Sequence, residues 1–573
     1  MKFKICTSFF LLLSAISYSQ TVITNVTVID VQNRKLVPGQ TVLITDSVIS
    51  AIAPAKKKIP ANTQIIDGYG KYLMPGMTES HAHFFMDGGL YSETDAIDLR
   101  RFVSTREQTV ITKGKMEDFL KRYLRCGITT VIDPGTSFNF LHLRDNFANK
   151  NLIPTVYMAG PLIVTSELPS FSEDKKDDPY ILARNTEDAV KAVQKQLPFL
   201  PDFIKILYVT DLSGEQVKDS AMMFLPVVKA IINEAHKNKL KVAVHATERI
   251  TAQLAAEAGV DFLVHGIDDE IITDEFIGLL KSKNIILCPT LNVGDGFYKT
   301  FTQTNSFSTY DLEQANPFSI GTLNDLPYLD TALAEGYKAG FLSSGIPHRD
   351  SIRMINLKKM SDAGVMIATG TDAGNIGTEH ASSYLAELLS MKQCGMSNWQ
   401  VIQSSTINPV KVVGKETQYG SISTGKIADM VLLNQNPVDN LDNLTKISIV
   451  FKKGKAILPD TLIEETPEMV VQCQLNAFNF HNIEAFLEYY DKDVELYNFP
   501  NSLIGEGTKE IKKAYSYGFN DSHKAHREIK NRSVLGNTVI DKEIITGFDM
   551  TSFERQVIYK IENHKIKRVY FIN

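Results

Sequence analysis

The spacing of apolar and polar positions changes character along the chain. Residues 21–72 carry short β-branched runs in which the two kinds of position alternate: "TVITNVTVIDV", "GQTVLITDSVISAIAP" and "TQIIDGYGKYL". A period of two predicts short strands joined by turns. From residue 73 onward, apolar strand-like runs alternate with helical stretches. The runs are "LMPGMTESHAHF" (73–84), "TTVIDPG" (129–135), "TVYMAGPLI" (155–163), "FIKILYV" (203–209), "KVAVHA" (241–246), "FLVHGI" (262–267), "IILCPT" (285–290) and "MIATGTD" (366–372). Amphipathic stretches such as "FLPVVKAIINEAHKNK" and "TAQLAAEAG" follow them. Strands alternating with helices predict a parallel sheet, and eight such units predict an α/β fold, a closed (β/α)8 TIM barrel over residues 73–412. One connection, 291–365, is far longer than an ordinary loop and is expected to cover the barrel mouth.

Short strands return after the barrel in "YGSISTGKIADMVLLNQNP" and "ISIVFKKGKAIL". Their expected partners are the N-terminal strands, so that residues 20–72 and 413–457 form one small β-sandwich from both flanks of the barrel. The polar, acidic stretch around "PDTLIEETPE", with two prolines, reads as a linker over 458–468. Residues 469–573 are of domain size and run from a helical pattern into strands, an α+β order.

Composition narrows the class. The chain has 573 residues, 43% hydrophobic and 22% charged, with a net charge of −6. That balance suits a globular protein and argues against a nucleic-acid partner, which calls for a basic patch. The opening "MKFKICTSFFLLLSAISYSQ" has a basic start, a short apolar run and small residues at Ser17 and Ser19. This is the pattern of a secretory signal over residues 1–19, so the mature chain is expected without a membrane anchor, in the periplasm or outside the cell. Cys6 would leave with it. Cys126, Cys288, Cys394 and Cys473 are scattered without C-x-x-C spacing and read as buried thiols.

Catalytic groups of such a barrel sit at the C-terminal ends of its strands. Those ends carry His81 and His83 on the first strand, His245 on the fifth, His265 on the sixth and Asp372 on the eighth, with Lys205 on the fourth. Four imidazoles and a carboxylate converging on one face are ligands for zinc or a similar divalent ion, and they outnumber what one ion with an open position needs. His142, His236, His348, His481, His523, His526 and His564 lack a strand-end setting and read as structural or surface residues.

The motifs "PGMTESHAHF", "FIKI", "VAVHA", "FLVHG", "GTDAG" and "STINPVKVVG…GSISTGKIADMVLL", in this order, resemble the amidohydrolase superfamily, in its imidazolonepropionase-like and prolidase-like branch, over residues 21–457. The resemblance implies two divalent metal ions, zinc first among them. His81, His83 and Asp372 would hold the inner ion and His245 and His265 the outer one, with carboxylated Lys205 bridging both. It implies a metal-dependent hydrolase that cleaves an amide, cyclic amide or dipeptide-like C–N bond of a small-molecule substrate with a metal-activated hydroxide, Asp372 shuttling the proton. His380 and Tyr208 would then be substrate contacts. One region departs from the pattern: after the third strand "AGPLIVTSELPSFSEDKKDDPY" has no histidine, which argues against cleavage of protein peptide bonds.

The segment "NAFNFHNIEAFLEYYDKDVELYNFP…GTKEIKKAYSYGF", with its "KIKRVYFI" ending, is similar to the SnoaL-like, or nuclear transport factor 2-like, cone-shaped fold. That similarity implies an accessory or pairing domain, with a homodimer through it. Two other readings stay open. The barrel could be a binding or sensor protein without turnover, or an isomerase or ligand-binding activity could reside in the C-terminal domain.

Overall fold

The computed structural model describes residues 20–54, 59, 63–92, 96–148, 150, 152–165, 175–208, 216–519, 525–548 and 551–572. The expected export signal (1–19), the middle of the charged stretch after the third strand (166–174) and His523 lie outside them.

Eight parallel strands form the body: Met77–Glu79, Ile128–Asp133, Thr155–Met158, Phe203–Leu207, Lys241–His245, Phe262–Val264, Ile286–Cys288 and Met366–Ile367. Consecutive strands pair with one another. An Ala159–Phe203 bridge joins the third to the fourth. The ring closes where the Ser80 N–H donates to the Thr369 carbonyl at 2.9 Å and Ala82 bridges Ala373. This is the expected (β/α)8 order. Strand alternation explains what fills it. Phe203, Ala243, Phe262 and Ile286 belong to one buried apolar cluster that floors the barrel. Two residues further along their strands, on the same face, stand Lys205, His245, Val264 and Cys288. The chemistry therefore sits one layer above an apolar floor.

The two flanks do join. Strands Gln20–Asp30, Lys35–Thr45, Val48–Pro54, Gln64–Asp67 and Tyr72–Pro75 are continuous with Met430–Leu433, Ile447–Lys452 and Lys455–Ile457 in one eight-stranded sheet. The seam is the antiparallel pairing of Tyr72–Pro75 with Met430–Leu433. The expected sandwich is thus a single hydrogen-bonded sheet that curls over its own core of Ile23, Val42, Ile44, Met430 and Phe451. Gly76 separates this sheet from the first barrel strand. A Cβ there would lie 2.2 Å from the Thr129 hydroxyl, so only glycine lets the two meet.

The long connection is built of helices, including Val293–Thr302, Thr331–Leu342 and Ile346–Asp362. It packs between the loops at the barrel mouth and the C-terminal unit: Phe301, Leu312, Ile320 and Leu326 lie in one apolar cluster with Leu90 and Ile376 of the mouth loops and with Val470, Phe478 and Val539. Asn476 donates to the Pro317 carbonyl at 2.7 Å, and the Tyr328 ring stacks on His526 at 3.9 Å. Its later part also reaches the mouth, because Arg353 fills the space beside Gly266, next to His265. The segment expected to be a linker is itself packed, with Leu462 buried beside Leu124 and Val450. The C-terminal unit runs from helices Pro467–Asn479 and Ile483–Glu488 into a six-stranded sheet, the α+β order expected. Cys126, Cys288, Cys394 and Cys473 are free thiols.

Candidate metal centre

His81 and His83 follow the first barrel strand at i and i+2, so in extended backbone their imidazoles leave on one side. Their Nε2 atoms lie 3.0 Å apart. Asp372 Oδ1 stands 3.2 Å from the first and 3.4 Å from the second. The Asp372 backbone is tied to the same strand end, its N–H donating to the His81 carbonyl at 2.7 Å. Gly370 permits this approach, since a Cβ there would meet Cys288 Sγ at 2.5 Å and the His81 nitrogen at 2.8 Å.

Lys205 is buried in the fourth strand, and its charge acts on His81, His245, His265 and Asp372. The His245 and His265 rings are 4.0 Å apart, and His265 lies 5.1 Å from His81. Two of these positions have left-handed backbone, His265 at φ 75° and Asp372 at φ 61°. Each such residue costs ~1–3 kcal/mol, and such strain clusters at functional sites. The structure therefore brings together all six residues expected at the centre.

The donor set fits a cation. Ligand atoms of His81, His265 and Asp372 lie within 4.8 Å of one another. Asp372 Oδ1, the atom that faces both imidazoles, is buried without a hydrogen-bond partner, an expensive state unless something else satisfies it. Electrostatics keep three of the imidazoles as lone-pair donors. Burial, then the Lys205 charge and the neighbouring rings, hold His81 and His245 well below the ordinary histidine value; burial, then His245, does the same for His265. Burial also pushes the Lys205 ammonium down to about 8, against the pull of Asp372. Burial raises the Asp372 carboxyl, opposed by His83 and Lys205.

Two residues absent from the sequence-based set organise it. Asp133 ends the second strand and is wholly buried. Its carboxylate accepts from the Phe84 and Gly135 N–H groups and lies 3.3 Å from His83 Nδ1. His83 Nδ1 also donates to the Gly135 carbonyl at 2.7 Å. The proton is thereby held on Nδ1 and the Nε2 lone pair faces the centre. Burial works against a charge on His83, but the Asp133 hydrogen bond and the Asp372 charge outweigh it and raise its pKa. Glu79 accepts from the His81 N–H at 2.9 Å and from Thr371 N–H and hydroxyl at 3.0 and 2.8 Å. It clamps the first strand end to the eighth, and burial holds its carboxyl up to about 8. The strand-end rule that found His81 also reaches Asp133, the Asp of "TTVIDPG".

His380 and Tyr208 do not face a substrate. His380 is buried between Phe119 and Phe84, with ring separations of 4.3 and 5.3 Å. Its Nε2 donates to the Met86 carbonyl at 2.9 Å, and Nδ1 lies 3.1 Å from the Tyr123 hydroxyl. Both ring nitrogens are spent on structure. The Tyr208 hydroxyl donates to the Ala221 carbonyl on the following helix. An interior site that saturates a polar tip withdraws it from chemistry.

The Amidohydrolase family model matches residues 72–457, more than half of the chain. The chain belongs to the amidohydrolase family. As a member it is a hydrolase acting on carbon–nitrogen bonds. Imidazolonepropionase from Fusobacterium nucleatum subsp. nucleatum is 23% identical over 402 residues, covering 66% of this chain and 80% of that protein. A Xaa-Pro dipeptidase with bound methionine superposes with a TM-score of 0.59 at 21% identity, over 77% of this chain and 100% of that one. Molinate hydrolase does so with a TM-score of 0.58 at 21% identity, over 78% and 96%. At these identities the superpositions show a shared amidohydrolase barrel.

Proposed function

We propose that this amidohydrolase is an exported enzyme that cleaves an amide or cyclic-amide C–N bond of a small molecule at a two-metal centre. The observation carrying the reading is the convergence of His81 Nε2, His83 Nε2 and Asp372 Oδ1 within 3.0–3.4 Å. His81, His83 and Asp372 would hold the inner ion and His245 and His265 the outer, with carboxylated Lys205 shared between them. Bound zinc would supply an acidified water and a polarised carbonyl.

The chain's own groups carry the rest. With its pKa lowered to about 8, Lys205 is about one-tenth neutral at pH 7, far more than an exposed lysine. The neutral amine adds CO2, forming an N–C bond and releasing one proton, and an acceptor-rich carbamate replaces an ammonium that can only donate. Asp372 Oδ2, which lies 3.9 Å from His265 Nδ1, takes up the proton of the attacking water and returns it to the leaving nitrogen. Asp133 keeps the proton of His83 on Nδ1. Export rests on the basic-then-apolar opening of the sequence. For residues 469–573 we propose a SnoaL-like accessory domain that pairs two chains.

Elemental analysis of purified protein with a screen of amides, cyclic amides and dipeptides tests the reading. We expect two equivalents of metal per chain and turnover abolished by chelation. A metal-loaded protein that turns over nothing across the panel would favour a sensor. Hydrolysis that survives deletion of residues 469–573 would exclude that unit as the catalyst.

A further inference from the structure

We infer that the C-terminal unit contains a second binding site, independent of the barrel, for a small aromatic carboxylate. A cavity of about 220 Å³ opens there, walled by Phe478, Tyr515, Phe553 and Phe571 and faced by Arg527 and Arg555. Its charges do not balance. Arg527 is wholly buried and Arg555 is 20% exposed, and one carboxylate, Glu543, serves both. Glu543 Oε2 accepts from Arg527 Nε at 2.7 Å and Oε1 from Arg555 Nε at 2.5 Å, so both oxygens are engaged. Asp541, the next buried carboxylate on that strand, is held by Arg532 in a two-point pair at 2.7 and 2.8 Å. One positive charge, that of Arg555, is left without a carboxylate of its own at the open side of an aromatic enclosure.

The unused hydrogen-bonding groups can all donate. Arg527 spends Nη2 on the Tyr559 hydroxyl at 2.6 Å and Nη1 on Gln474 at 3.3 Å. Among the described residues, the terminal amino groups of Arg555 have no hydrogen-bond acceptor, and its guanidinium stacks over Phe571 at 4.9 Å. The Tyr515 hydroxyl is buried without a partner of good geometry, and its neighbour, the Tyr490 hydroxyl, already accepts from Gln474 at 2.8 Å. The guanidinium fork can only donate and the Tyr515 hydroxyl has its proton to give, so an occupant with acceptors and a negative charge is the match. A carboxylate matches the fork in two-point geometry. The ring walls favour a flat apolar body, and the volume admits one ring with a short side arm. Phe553, 45% exposed, marks the mouth.

Calorimetry on the full chain with phenylacetate, benzyl alcohol and acetate tests this, repeated after metal removal by a chelator, since a carboxylate can also bind metal. We expect phenylacetate to bind at least ~10-fold tighter than either fragment, because ring and charge are both recognised. Binding should survive chelation. Arg555→Gln should weaken it at least ~10-fold by deleting the charge-assisted bonds, and Arg555→Lys should restore part of the affinity. If Arg555→Gln does not fold, Tyr515→Phe decides, with an expected loss of ~3–10-fold for one hydrogen bond to a charged group. Phenylacetate binding no tighter than its fragments, abolished by chelation, or unaltered by the decisive variant overturns the assignment.

Discussion

Asp133 Oδ1 lies 3.3 Å from Nδ1 of His83, a residue fifty positions earlier in the chain. Together with the 2.7 Å bond from Nδ1 to the Gly135 carbonyl, the pair favours the tautomer that presents Nε2. Asp133→Asn keeps the volume but loses the charge that reinforces the proton on Nδ1. Metal affinity should fall ~10–100-fold, as when an outer partner of a metal histidine is changed. Competitive chelator titration measures it, and hydrolysis at saturating metal should recover most of its rate.

Asp372 is the proton carrier of the proposed reaction. Asp372→Asn should lower kcat by at least ~100-fold, the scale of general acid–base catalysis. A melting temperature close to that of the parent would show that the loss is chemical. A rate near that of the parent would remove the role.

Lys205 should matter through metal count. Lys205→Met keeps an apolar side chain of similar length over the floor of Phe203 and Ala243 but cannot form a carbamate. Elemental analysis should show a drop from two ions per chain toward one, with kcat/KM down by ~100-fold or more for lost electrostatic stabilisation. Intact mass under CO2, by native spectrometry, should show the added carboxylate in the parent alone.

His380 should be a stability residue. Truncating it to Ala empties the space between Phe84 and Phe119 and strands the Met86 carbonyl. A cost of ~2–4 kcal/mol follows for a buried ring-sized deletion, read from denaturant midpoints. KM measured on the folded fraction should be unchanged. Tyr208→Phe should likewise leave turnover within ~2-fold, losing one structural hydrogen bond worth ~1 kcal/mol.

His526, buried against Tyr328 where the long insertion meets the C-terminal unit, has its pKa pushed down to about 3 by burial. The unfolded chain binds a proton near pH 6.5 and the folded one does not. Stability is therefore complete above that value and falls as pH drops from 6.5 toward 3. At pH 5 the loss is about 2 kcal/mol, from 1.36 kcal/mol per unit of pKa difference. His526→Phe should abolish this part of the slope, so urea midpoints of parent and variant should converge or cross between pH 7.5 and 5.

Much of the site was legible in the sequence because it is local. Alternation puts His81 with His83, Phe203 with Lys205 and Ala243 with His245 on single faces, and strand ends tell where chemistry collects. The order of eight strand–helix units then specifies a ring that makes those ends neighbours. What the tertiary structure alone decided are pairings between distant elements. His380, in the loop "GTEHASS" after the eighth strand, reads as a substrate contact until Phe119 and Tyr123 arrive from a helix more than 250 positions away. Asp133 reads as a strand-end turn until His83 faces it. Nothing in the sequence pattern singles out Arg527, Glu543 and Arg555; their strands fold over one cavity and leave two cations to one carboxylate. Periodicity reports which way a side chain points. Only packing reports what it meets there, and whether its donors are spent or free.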